Sequence, residues 1–378
     1  MKIVHSILRY YPAMGGVEAY LKQLLEGLVK RGHNVKVFTS NLEYERQGCI
    51  GDLRNSINGV EVKRYNPVNI KPKGYVVIPS LIRALYKEKA DIIHGHSYMH
   101  FPADIAMLIS RLKRLPFVFN PFLVDVGVNS LWRGIYKSTM GNLLMEADTV
   151  IVISPFEEKI IKENGFPAKR IEYIPPGIDM EEFDRVTHNV YERYNLKDNI
   201  VLFTGRLDYY KGIDILLRAI PAVLKEVPQT TFFFSGPDWG YQIYLTSLVK
   251  QLNIEDKVIF AGVLSRDDLI SAYKNATVFA FPSRYELFGI VLLEAMAAGL
   301  AIVASDSSAI PFIIQDSENG LLFKTNDHHS LAQQITKLLK DARLRSDISA
   351  RAKDLVRKNY SLTESVEKLE AVYLSLLN

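Results

Sequence analysis

Residues 200–236 read IVLFTGRLDYYKGIDILLRAIPAVLKEVPQTTFFFSG. A short apolar run at 200–203 leads into a loop bounded by Gly205 and Gly212. Apolar residues then recur at helical spacing from 213 to 225, and a second apolar run at 230–234 ends at Gly236. The order is strand, glycine loop, helix, strand. The same unit stands near the start of the chain. There an apolar run at 3–8, a loop holding Gly15-Gly16, a helix pattern at 17–29, Arg31-Gly32 and a second run at 35–38 follow one another. Short apolar strands alternating with amphipathic helices indicate a parallel sheet covered on both faces. Two copies about a domain length apart suit a chain of 378 residues and predict two α/β domains, each a doubly wound, Rossmann-like parallel sheet. Further strands are expected at 92–94, 117–119, 149–153, 258–261, 278–281 and 301–304.

The boundary falls at Ile174-Pro175-Pro176-Gly177-Ile178-Asp179, where two prolines and a glycine stop a sheet and set a linker. This gives a first domain at 1–175 and a second at 176–361. Ligands of open parallel sheets sit outside the carboxyl ends of the strands. Two such domains facing one another predict a cleft holding the chemistry.

Composition narrows the class. Hydrophobic residues make up 48% and charged residues 23%, an ordinary globular balance. The single cysteine, Cys49, excludes an intramolecular disulfide and fits a reducing compartment. The chain runs from Met1 straight into a strand-like segment, so no signal peptide is read and a cytoplasmic location is expected. The apolar stretch 287–304 is interrupted by Glu294 and Gly299, which predicts a buried helix and strand instead of a membrane span. Residues 1–185 hold 25 Lys+Arg and 20 Asp+Glu, a balance of +5. The whole chain holds 46 and 42, leaving 21 and 22, or −1, for the rest. Such an excess suits an anionic acceptor or peripheral association with the inner face of an anionic membrane, and equally a solvated surface. Nothing approaches the basic density of a nucleic-acid binder.

The motif richest in chemistry spans residues 282–299, PSRYELFGIVLLEAMAAG. It reads as a loop ending at Phe288-Gly289 and a helix ended by Gly299. The unpaired amides at a helix N-terminus favour a phosphate. A diphosphate there would place sugar hydroxyls near Glu286 and ribose hydroxyls near Glu294, since a carboxylate accepts from neighbouring hydroxyls. Glu294 lies among Leu292, Leu293, Ala295, Met296 and Ala297, where an unpaired charge costs several kcal/mol. That favours a ligand role over a structural charge. In the loop Gly205-Arg206-Leu207-Asp208-Tyr209-Tyr210-Lys211-Gly212, Arg206 and Lys211 can both reach an anion at the strand ends. They would stabilise the charge growing on a departing nucleoside diphosphate.

Together these residues resemble the retaining, two-domain glycosyltransferases of family 4, which have the GT-B fold. The resemblance extends to Gly15-Gly16, Asp91-Ile92-Ile93-His94-Gly95-His96 and Pro176-Gly177-Ile178-Asp179. It implies that Arg206, Lys211 and the Phe288-Gly289-Ile290 amides hold the diphosphate, with Leu287 beside them. It further implies Glu286 on the donor sugar, Glu294 on the ribose, Val263 and Leu264 framing the base, and Gly205 and Gly236 lining the nucleotide pocket. Gly15 and Gly16 would approach the donor closely, and the terminal helix at 362–378 would return to the first domain. One position departs from the family: Phe122 stands where a histidine is usual. Its ring is expected to contact the donor and shape donor choice, with Asn120 or Asp125 supplying a polar group. His96 is the candidate acceptor contact.

The expected activity is transfer of a hexose from a UDP- or GDP-linked sugar to a glycan, lipid-linked or small-molecule acceptor, with retention. No Asp-x-Asp motif follows a strand in a donor-like position and no spacing of His, Asp and Glu suggests a tight metal site, so neither metal nor cofactor is expected. A sugar-nucleotide epimerase would need an acid/base set that the sequence does not display. A non-catalytic nucleotide-sugar binder draws its support from Phe122 alone. A dehydrogenase is disfavoured because no Gly-x-Gly-x-x-Gly follows either first strand.

Overall fold

The computed structural model describes residues 1–43, 49–68, 75–123 and 131–377. The chain divides into two compact units, one of Met1–Gly177 with Leu362–Asn378, the other of Ile178–Ser361.

The first unit holds β1 (Lys2–Ser6), β2 (Asn34–Ser40), β3 (Arg54–Ile57), β4 (Val60–Tyr65), β5 (Ile92–His96), β6 (Phe117–Asn120), β7 (Thr149–Val152) and β8 (Ile171–Tyr173). They form one sheet in the order β3-β4-β2-β1-β5-β6-β7-β8. Only the β3–β4 pair is antiparallel. The inner strands are buried on both faces, which is why they read as continuous apolar runs without alternation. Val4, Ile93, Phe117, Phe119, Val150 and Val152 share one core with residues of helices Pro79–Lys87 and Phe101–Lys113. Successive side chains point to opposite faces, so His5, His94 and His96 lie on the other side. There the terminal helix Leu362–Leu377 is anchored: Tyr373 Oη lies 2.7 Å from His94 Nδ1, and Ser365 Oγ donates to the carbonyl of Pro175 over 2.8 Å.

The second unit is a wholly parallel sheet of β9 (Asn199–Thr204), β10 (Thr230–Ser235), β11 (Val258–Gly262), β12 (Val278–Phe281), β13 (Ala301–Ser305) and β14 (Leu321–Phe323), in the order β11-β10-β9-β12-β13-β14. The order reverses between β9 and β12. The crevice outside the carboxyl ends of two such strands is where open α/β sheets take their ligands. Both motif-bearing loops, 205–212 after β9 and 282–289 after β12, open there. As the sequence indicates, the apolar stretch at 287–304 is a helix, Ile290–Ala298, followed by β13. No helix among the described residues is long and apolar enough to cross a membrane.

Candidate active site

The loop after β9 is held against the loop after β12 by close backbone approach and two part-buried ion pairs. A Cβ on Gly212, at φ +64°, would lie 2.0 Å from the Pro282 carbonyl, so only glycine lets the two chains touch there. Arg284 then clamps the contact: its Nη1 and Nη2 each lie 2.8 Å from Asp214, and Nη1 also donates to the Tyr209 carbonyl over 2.6 Å. Arg284 N donates to the Tyr210 carbonyl over 2.7 Å. The result fixes Lys211 beside Glu286: Lys211 Nζ donates to Glu286 Oε1, which also accepts from Ser283 Oγ at 3.0 Å. Arg206 stands on the same loop, its guanidinium 4.2 Å from the centre of the Trp239 ring and its Nε 3.4 Å from Asp208. With 37% of its side chain exposed, Arg206 is open to a ligand. Gly205 and Gly236 cross so tightly that a Cβ on Gly236 would lie 1.9 Å from the Gly205 carbonyl. Just past the carboxyl ends of β9 and β10 the two chains thus touch backbone to backbone.

Gly289, at φ +92°, opens the helix Ile290–Ala298 with no side-chain cap on its first amides, and Gly299, at φ +74°, closes it. Phe288 is buried against Tyr360, with ring centres 6.0 Å apart, so it offers only its main chain to a ligand. Leu287 and Ile290 are half-buried on either side. Glu294 is 8% exposed and already has partners: Arg266 Nη1 donates to Oε1, and Tyr273 Oη donates to Oε2 over 3.0 Å. Arg266 also grips Glu182 at 2.9 and 2.8 Å, and Tyr273 Oη lies 2.5 Å from Thr204 Oγ1. The sequence places Glu294 in an apolar setting without showing what compensates it. Arg266 and Tyr273 do so, and the remaining carboxylate lone pairs stay available as acceptors. Val263 and Leu264 follow β11 directly, Val263 exposed and Leu264 half-buried.

In the first unit, Gly15 is the N-cap of helix Gly16–Lys30, and a Cβ there would run into the Glu18 carboxylate. Three other expectations are corrected. His96, the candidate acceptor contact, does not reach the surface. It is fully buried, its Nε2 2.9 Å from His5 Nδ1, and its ring stacks over His94 at 4.2 Å. Asn120 is buried too, donating to the Ile151 carbonyl over 2.9 Å. Both lie in strands covered on two faces, so a strand-end position in the sequence does not put their side chains at the surface. Phe122 has its ring turned into the core, 8% exposed, edge-on to Tyr20 and parallel to His96, with centres 6.2 Å apart in each case. The physical reason is local. Phe122 takes a left-handed φ of +45°, and the buried carboxylate of Glu157 accepts the next amide, Leu123 N, at 2.8 Å as well as Ile153 N at 2.9 Å. Burial pushes the Glu157 carboxyl up to about 7. Asp125 lies outside the described residues.

The sequence also gave no sign of the His5, His94 and His96 group, because residues some ninety positions apart meet only through the β1–β5 register. The nitrogens of His5 and His96 point at one another across 2.9 Å with rings tilted by 14°, the geometry of a shared proton. Burial holds His5 down to about 3 and His94 and His96 well below the usual imidazole range, so all three are neutral. Trp239, Arg266, Tyr273, Arg284 and Asp214 were likewise missed. Arg266 and Tyr273 share one helix, Arg266–Asn275, and Arg284 lies within the 282–299 stretch, where nothing local shows its partner.

A phosphate-favouring helix start, two cations and two carboxylates at a sheet switch point define a site for an anionic, hydroxyl-rich ligand. Comparison with known proteins agrees with the class. Residues 14–182 match the Glycosyltransferase Family 4 model and residues 187–355 the Glycosyl transferases group 1 model. An uncharacterized glycosyltransferase of Methanocaldococcus jannaschii is 30% identical, covering 99% of this chain and 98% of its own. D-inositol 3-phosphate glycosyltransferase of Corynebacterium jeikeium is 28% identical over 96% of this chain and 92% of its own. Among solved structures, sucrose-phosphate synthase of Thermosynechococcus elongatus superposes with a TM-score of 0.81 at 24% identity, covering 99% and 98% of the two chains. Anabaena HepE in complex with UDP and glucose gives 0.79 at 20% identity, covering 99% and 100%. The chain belongs to the group 1, family 4 glycosyltransferases and has the GT-B fold.

Proposed function

We propose that this glycosyltransferase moves a hexose from a nucleoside diphosphate sugar to an acceptor hydroxyl, with retention and without a metal ion. The observation carrying the reading is the Lys211–Glu286 pair: a loop cation and a carboxylate held in contact where β9 and β12 diverge. In the absence of donor each neutralises the other. A bound diphosphate offers Lys211 a stronger partner and leaves Glu286 to accept from sugar hydroxyls.

The chemistry follows from these charges. The bond between C1 of the sugar and the diphosphate oxygen breaks, and Arg206, Lys211 and the amides of Gly289 and Ile290 stabilise the charge on the leaving group. The acceptor oxygen bonds to C1 on the face the diphosphate leaves, and its proton passes to a phosphate oxygen. No protein base is required. UDP is the favoured carrier, because the structurally similar HepE is described with UDP and glucose and a trehalose-6-phosphate enzyme of E. coli with UDP-2-fluoro glucose. Acceptors with an anionic alcohol, sugar, glycan or lipid-linked headgroup fit the relatives' names, which include a D-inositol 3-phosphate glycosyltransferase and a phosphatidylinositol N-acetylglucosaminyltransferase subunit. A panel of UDP-, GDP- and ADP-sugars tests the reading by thermal stabilisation, donor hydrolysis with excess chelator, and the anomeric configuration of the product. Inverted product, or activity that needs an added divalent ion, would refute the mechanism.

A further inference from the structure

Helices Pro79–Lys87 and Phe101–Lys113 lie side by side over the first sheet, and their carboxyl ends meet where Lys113 Nζ donates to the Glu88 carbonyl. Their inner faces are core: Leu81, Leu85, Ala103, Ala106 and Met107. Their outer faces carry exposed apolar residues among the charged ones. Ile82 is 43% exposed, Tyr86 55%, Leu108 43% and Leu112 67%. Spacing of four residues puts each pair on one helical stripe, and the two helices pack against one another. The four side chains therefore make one ridge, the kind of exposed apolar feature that marks a contact surface.

Cations surround the ridge. Arg83, Lys87, Lys89 and Arg114 are all exposed, and among the described residues none of them pairs with a carboxylate. Two hollows flank it, of about 440 Å³ and 330 Å³. Arg111 and Arg114 line the first together with Glu146 and Asp148, the latter accepting from the Phe117 amide, and Arg83 and Lys87 line the second together with Glu88. The neighbouring acidic groups are already engaged: Glu88 accepts from Lys36 and Lys63, Glu146 from Arg111, and Asp91 from the Lys2 amide. Apolar side chains bordered by unpaired cations match an interfacial layer of acyl carbon under anionic headgroups.

We propose that this ridge docks the first unit onto an anionic lipid bilayer, with Ile82, Tyr86, Leu108 and Leu112 entering the interface and the four cations meeting the headgroups. The inference is independent of the donor chemistry. A protein pair would be expected to answer cations with acidic side chains and to satisfy the ridge by a specific shape; a bilayer needs only the apolar stripe and the charge. A glycosyltransferase docked in this way would work on an acceptor that is itself held in the bilayer.

The test is cosedimentation of the full chain with vesicles of phosphatidylcholine alone or mixed with phosphatidylglycerol. The wild type is expected to pellet with the mixed vesicles, to be released as salt rises, and to stay in solution with phosphatidylcholine alone. Lys87→Glu with Arg114→Glu should weaken binding more than about twentyfold, since each basic residue near an anionic surface is worth about fivefold. Tyr86→Glu with Leu112→Glu should abolish it, while the unfolding midpoint stays put because both side chains are exposed. Three results would overturn the inference: a wild type that ignores both vesicles, ridge variants that pellet like the wild type, or a wild-type dimer that the ridge variants dissociate.

Discussion

Arg266→Met should separate what Glu294 does for the fold from what it does for a ligand. Arg266 makes two bonds to Glu182 and one to Glu294, whose side chain is 10% exposed. Removing one partner of a fully buried pair costs ~3–5 kcal/mol. Arg266 is itself 33% exposed, so water recovers part of this and about 2 kcal/mol is expected. Tyr273 still donates to Oε2, but Oε1 is left without its cation and the carboxylate can turn. If Glu294 accepts from the ribose, the wild type should bind UDP more tightly than 2′-deoxy-UDP by ~1.5–3 kcal/mol, or tenfold to a hundredfold. In Arg266→Met that preference should shrink several-fold more than the affinity for the deoxy compound falls. Urea unfolding gives the first quantity and titration calorimetry with the two nucleotides gives the second. An unchanged midpoint together with an unchanged ribose preference would refute the reasoning. A wild type with no ribose preference would instead remove Glu294 from the ribose while leaving the stability argument intact.

Lys211→Ala and Arg206→Ala should each lower kcat by ~10²–10³, the effect of losing one charge stabiliser, with a normal circular dichroism spectrum. A rate within twofold of wild type in either variant would take that residue out of the leaving-group site. Gly236→Ala should destabilise by ~3 kcal/mol in urea, because its methyl would have to displace the Gly205 carbonyl. Acidification gives a fourth outcome. The neutral, buried His5, His94, His96 and His100 bind protons more readily once unfolded, so stability falls as pH drops below ~6.5. Asp104 and Glu157, raised by burial to about 6 and about 7, work the other way, losing stability as pH rises from ~4 through those values, and so offset part of the loss. Since four imidazoles outnumber two carboxyls, the unfolding midpoint should fall from pH 7 to pH 5, and less in His5→Gln. A midpoint that rises on acidification would contradict the assignment of neutral histidines.

The two sheets and most strand positions were legible from sequence because a strand buried on both faces must be apolar throughout and a loop passing close to another backbone must contain glycine. The runs at 200–203 and 230–234, Gly205, Gly212 and Gly236 carry that information locally. So do the Gly289 and Gly299 ends of the helix that follows Glu286. What lay beyond the sequence depends on partners brought from afar. Arg266 compensates Glu294 from another helix, Trp239 supports Arg206 from the next strand-end loop, and Arg284 with Asp214 locks Lys211 in place. Side-chain direction was also undetermined. His96, Asn120 and Phe122 lie at or just past strand ends, where ligand contacts were expected, yet the β1–β5 register gives His96 a partner in His5 and the Glu157 carboxylate fixes the turn that sends the Phe122 ring inward. Local sequence fixes what a residue can do; which way it points is settled by the neighbours that packing and hydrogen bonding bring to it.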